Sequence, residues 1–104
     1  MKHAFFAIAS LAAGFAVSTP VLADLPLATA KNCMACHAVA TKLVGPSYKD
    51  IAAKYAGQKD AVDTLSAKVI KGSTGVWGPI PMPANAQVTA EESKKLVTWV
   101  LGQK

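Results

Sequence analysis

Arginine is missing from this sequence: all 11 basic side chains are lysines, set against 6 acidic residues. The bidentate guanidinium fork that grips phosphates and carboxylates is therefore excluded. The lysines form no basic run, so a nucleic-acid surface is not expected, and the formal net charge of +5 is read as a solvated, soluble surface. Cysteine and histidine are scarce as well, with two of each. The cysteines stand at positions 33 and 36, and a disulfide between them would close too small a loop to staple a domain. A zinc site needs two further ligands, and past residue 23 the only histidine is His37. Alternating strand patterns are absent too, which removes the βαβ context of a thioredoxin-like redox pair.

The one long apolar run lies at the start. Lys2 and His3 precede a stretch from Phe5 to Val17 interrupted only by Ser10 and Gly14, and Val21-Leu22-Ala23 offers a cleavage site. These are the parts of a secretory signal peptide spanning residues 1–23. The run falls short of the roughly 20 apolar residues that cross a bilayer, so no stable membrane insertion is expected after cleavage. Residues 24–104 are then one small exported domain, a size at which a bound group commonly supplies part of the stability.

Four short helical patterns fill that domain, which makes the expected class all-α. The first runs from about Pro26 to Cys33, with proline in its first turn. The second follows Gly45-Pro46, with Ser47 as N-cap, Ile51, Ala52 and Tyr55 on one face, and Gly57 as its stop. The third starts at Asp60 and carries Val62, Leu65 and Val69 before Gly72 ends it. The last opens on the capping box Thr89-Ala90-Glu91-Glu92 and continues through Leu96, Val97, Val100 and Leu101. Between Gly72 and Thr89, three glycines and three prolines break every regular pattern. An irregular stretch of that length in a small domain is expected to wrap something.

What it wraps is indicated by Cys33-Met34-Ala35-Cys36-His37. Cys-x-x-Cys-His is the arrangement for covalent attachment of haem c: each thiol adds across one vinyl group, and the adjacent imidazole reaches the iron from one face. Among residues 24–104 only two methionines could supply a sixth ligand. Met34 sits inside the attachment loop and cannot reach the other face, which leaves Met82, framed by Pro79, Pro81 and Pro83 with their fixed φ angles. His37 and Met82 as axial ligands would fill the iron's coordination and leave electron transfer as the activity, with no catalytic residue. The alternative is a five-coordinate haem protein that binds small gases or acts as a peroxidase. Trp77, in the glycine-rich loop, has an indole N–H that a haem propionate could accept from. Trp99, among the apolar residues of the last helix, reads as core.

These segments, together with Val44-Gly45-Pro46-Ser47-Tyr48-Lys49-Asp50, Gly75-Val76-Trp77-Gly78-Pro79-Ile80-Pro81-Met82-Pro83 and Trp99-Val100-Leu101, resemble the short bacterial class I cytochromes c of the c-551 type. The resemblance implies a fold of about four short helices around one haem. It implies further that the Pro46 carbonyl accepts a hydrogen bond from the His37 ring, that Trp77 bonds a propionate, and that Asn85 positions the Met82 sulfur. Lys68 stands where relatives often place an arginine beside a propionate; a lysine keeps the charge and loses the fork. An apolar haem edge would comprise Leu43, Val44, Ile80, Pro81 and Pro83, rimmed by lysines such as Lys31 and Lys42. The implied setting is the periplasm, where a monomeric carrier would exchange electrons with nitrite reductase, a terminal oxidase, a blue-copper protein or a cytochrome bc1-type donor.

Overall fold

The structure, a computed structural model, describes residues 24–104, so the proposed leader at 1–23 lies outside the described residues. Four α-helices follow one another along the chain: α1 Asp24–Ala30, α2 Tyr48–Lys54, α3 Ala61–Lys71 and α4 Ala90–Leu101. A short 3-10 turn, Cys33–Ala35, stands between α1 and α2. No strand forms among the described residues; there are two isolated bridges, His37 with Lys42 and Ser73 with Met82.

The first helix stops earlier than its pattern suggests. α1 ends at Ala30, and Asn32 takes a left-handed conformation with φ 65°. Asparagine tolerates that region better than other side chains, and its use here separates the cysteines from α1. Three other boundaries follow their caps, whereas α2 ends at Lys54 with Tyr55 as its cap, ahead of the expected stop at Gly57. Ser47 accepts from the Asp50 amide at the start of α2, and Gly72 ends α3. At α4 the Thr89 hydroxyl accepts from Glu92 N while Glu92 Oε1 accepts from Thr89 N, completing the capping box. The Thr89 amide, ahead of Lys31, holds the Glu92 carboxyl below its ordinary pKa. Since the folded carboxylate is the favoured form, this cap acts at neutral pH and weakens on acidification through the lowered pKa.

α4 packs against each of the other three helices. Small residues allow the close approach: Ser93 is fully buried and donates to the Ser66 carbonyl at 2.8 Å, tying α4 to α3. Ala28, Tyr48, Val88, Leu96 and Trp99 form the core, with Leu25, Leu27, Met34, Ile51, Val69 and Val100 packed around them. This frame holds α1, α2 and α3 about α4 and presents one large concavity to the irregular segment that joins α3 to α4.

Candidate functional site

A cavity of about 690 Å³ occupies the space between the helices and the two long connections. It falls within the range of about 300–1,000 Å³ usual for cofactor sites. Cys33, Cys36, His37, Pro46, Lys68, Trp77 and Met82 all border it, so seven of the eight residues singled out from the sequence meet at one place although they are spread along most of the domain. Asn85 is the exception.

The cysteine segment folds as a tight turn in which the Cys36 and His37 amides both donate to the Cys33 carbonyl, at 3.2 and 3.0 Å. No disulfide joins the two cysteines, and both are half-buried.

His37 is held from three sides. Its Nδ1 lies 2.7 Å from the Pro46 carbonyl oxygen. A carbonyl can only accept, so Nδ1 carries a proton, which leaves Nε2 as the ring nitrogen that could meet a metal. Gly45 lies against the ring so closely that an added Cβ would stand 2.7 Å from Cε1. Tyr48 stacks on the imidazole, with centroids 5.3 Å apart and planes 23° from parallel. No local pattern in the sequence marks Tyr48 for that role. Its hydroxyl donates to the Met34 thioether at 3.6 Å, and burial raises its pKa above the ordinary tyrosine value. Trp99 meets Tyr48 edge-on, with ring centroids 5.1 Å apart, and is buried in the core.

Met82 is fixed through its backbone. Its amide donates to the Ser73 carbonyl at 2.8 Å, and its carbonyl accepts from the Ser73 amide at 3.0 Å. Gly72, at φ 86° and ψ 171°, lets the end of α3 approach; a Cβ there would stand 2.9 Å from the Met82 oxygen and 3.1 Å from the Ala84 nitrogen. Thus a glycine backs each candidate axial residue. Asn85 donates through Nδ2 to the Val69 carbonyl at 2.8 Å and the Pro83 carbonyl at 3.3 Å. One of these carbonyls lies on α3 and the other directly follows Met82 in the loop.

At the rim, Trp77 is 42% exposed, with Lys54 Nζ 5.3 Å from its ring centre. Leu43, Val44 and Ile80 are exposed by 48, 52 and 62%, and with Pro81, Pro83 and Lys42 they border the same cavity. Lys31 departs from the expected rim. Its ammonium pairs with Glu92 at 3.3 Å and donates to the Gln87 carbonyl at 3.0 Å, and it does not border the cavity.

The donor set, two thiols three positions apart beside an imidazole and a thioether within apolar walls, fits a haem with thioether attachment. Comparison with known proteins gives the same answer. The family model for cytochrome c matches residues 26–104. The chain belongs to the cytochrome c family. It is 54% identical over 86 residues to cytochrome c-551 of Allochromatium vinosum, covering 83% of this chain and 92% of that protein. To cytochrome c-552 of Nitrosomonas europaea it is 52% identical over 97 residues, 93% of this chain and 89% of that one. The crystal structure of wild-type Nitrosomonas europaea cytochrome c552 matches with a TM-score of 0.76 at 52% identity, over 77% of this chain and 99% of that chain. This cytochrome is of the class I, c-551 type: an all-α single-haem electron carrier and not an enzyme, whose cofactor is one haem c attached through the Cys33–Cys36 pair. Among the described residues, no helix is long and apolar enough to cross a membrane.

Proposed function

We propose that this cytochrome shuttles single electrons in the periplasm, with His37 and Met82 as the axial ligands of its haem. The observation that carries the reading is that His37 and Met82 border one cavity and are each immobilised by backbone contacts. When bound, the haem iron supplies an Fe(III)/Fe(II) couple, and His/Met ligation raises its potential. The chain's own part is to restrain the donors. Pro46 keeps the proton on His37 Nδ1, Gly45 and Tyr48 set the ring plane, and the paired hydrogen bonds with Ser73 keep Met82 in register. Donors that do not move between oxidation states keep the reorganisation accompanying each electron small. Trp77, with its indole N–H, and the Lys68 ammonium, both on the cavity wall, would receive the propionates. Asn85, by holding the Pro83 and Val69 carbonyls, secures the return of the Met82 loop.

Residues 1–23 act, in this reading, as a cleaved export signal, and residues 24–104 work as a monomer. The test is the visible spectrum of the holoprotein. A low-spin ferric spectrum with a long-wavelength methionine–iron charge-transfer band is expected, together with a ferrous form inert to carbon monoxide. A high-spin ferric spectrum and rapid carbon monoxide binding would establish the five-coordinate alternative instead.

For exchange partners, the exposed edge of Leu43, Val44, Ile80, Pro81 and Pro83 offers a small apolar contact, with Lys42 beside it to steer acidic surfaces. Periplasmic nitrite reductase, a terminal oxidase, a blue-copper protein and a cytochrome bc1-type donor are the partners proposed. Lys42→Glu should slow electron exchange with an acidic partner several-fold at low salt and flatten its dependence on ionic strength, whereas its potential should be unchanged. Stopped-flow rates across a salt series that match the wild type would remove Lys42 from the docking surface.

A further inference from the structure

The loop that carries Met82 is tied at its far end to the segment that carries the cysteines. Gln87 Nε2 donates to the Lys31 carbonyl at 3.0 Å and to Asn85 Oδ1 at 3.1 Å, while Lys31 Nζ donates back to the Gln87 carbonyl at 3.0 Å. Lys31 lies two residues before Cys33, and Asn85 three residues after Met82. Lys31 is held in turn by Glu92, whose carboxylate closes the α4 capping box.

We propose that Gln87 is a positioning residue for the Met82 site, a latch between the cysteine segment and the methionine loop that limits how often the loop opens and the thioether leaves the iron. This rests on the reading of Met82 as an axial ligand. The chemistry of the two amides supports it. A primary amide has two N–H donors, and Gln87 spends them on two oxygens that belong to different segments. By donating to Asn85 Oδ1 it holds the Asn85 amide from the side opposite Nδ2, which grips the Val69 and Pro83 carbonyls. Without Gln87 the Asn85 oxygen loses its donor, and the amide is held from the Nδ2 side alone. The grip on Pro83, adjacent to Met82, loosens accordingly. The segment from Gly72 to Thr89 contains no helix or strand, so its opening free energy depends on a few such hydrogen bonds.

Imidazole added to the ferric holoprotein reads the opening directly, because it takes the iron only when the native ligand has left. Apparent affinity then scales with the open fraction, and losing the latch bonds should tighten imidazole binding by about 5- to 10-fold. Gln87→Ala and Gln87→Leu, the second keeping the bulk without the donors, should both show this and keep the charge-transfer band in the absence of imidazole. As a control, Gln103→Ala removes a comparable bond to the Trp99 carbonyl at 3.0 Å and should leave the affinity unchanged. Affinities of both Gln87 variants within about twofold of wild type, less than one hydrogen bond's worth, overturn the latch, as does an equal shift in Gln103→Ala. If the wild-type protein itself lacks the charge-transfer band, the methionine reading fails and takes the latch with it; a band present with unmoved Gln87 variants rejects the latch alone.

Discussion

Met82→Ala is expected to abolish the methionine–iron charge-transfer band of the ferric holoprotein and to lower its reduction potential by about 0.2 V or more, within the roughly 0.8 V that axial ligation spans in haem proteins. Haem should be retained, because Cys33 and Cys36 do not depend on residue 82. The ferrous form should gain carbon monoxide binding, since residues 24–104 contain no other histidine or usable thioether to replace the lost ligand. Met34→Leu is the matching control. Its sulfur accepts from Tyr48 in the packed interior, so it should cost some stability and leave the band in place. Voltammetry and absorption spectra of the two variants decide the point: a Met82→Ala protein with an unchanged band and potential would show that the thioether never met the iron.

Gly72→Ala should be a severely damaging change for a single methyl group, because it combines backbone strain with a close contact. Its φ of 86° with ψ of 171° belongs to a region open in practice to glycine alone, at a cost of about 1–3 kcal/mol for another residue. The new Cβ would also stand 2.9 Å from the Met82 carbonyl oxygen and 3.1 Å from the Ala84 amide nitrogen. Both are backbone atoms, so neither can swing aside as a side-chain tip could. Strain and overpacking together predict a loss of about 2–4 kcal/mol, a fall in Tm of at least roughly 8 °C for a domain of this size. Gly57 separates the two contributions: its φ is 78°, but a Cβ there would meet nothing within 4 Å. Gly57→Ala should therefore show only the backbone cost and leave the charge-transfer band intact, whereas Gly72→Ala should weaken that band as Met82 is displaced. Thermal melts followed at the band and by far-ultraviolet circular dichroism distinguish the cases. Equal losses in the two variants would mean that the contact with the Met82 loop contributes nothing.

Much of this protein is legible before it folds. The capping box at Thr89 and Glu92, the Ser47 cap and the glycine stop at Gly72 act over three or four residues, and each forms as its pattern indicates. Local pattern carries α1 on to about Cys33, whereas the helix ends at Ala30 and the left-handed turn at Asn32 presents the cysteines to the cavity. Lys31 is expected at the rim of the haem edge, but a lysine's partners lie beyond its neighbours in sequence; Glu92 and Gln87 reach it from the far end of the domain. The stack of Tyr48 on His37 was invisible for the same reason.

The sequence by itself determined the family, the all-α class and the cofactor chemistry. Thiol spacing is a local property, and a composition with one imidazole and two thioethers in residues 24–104 left few donors to choose from. Only the tertiary structure decided how tightly those donors are held. Gly45 against His37, Gly72 against Met82 and Gln87 bridging to Lys31 are contacts set by the path of two irregular connections over α4. Such paths follow from packing across the whole domain and leave no periodic trace in the chain.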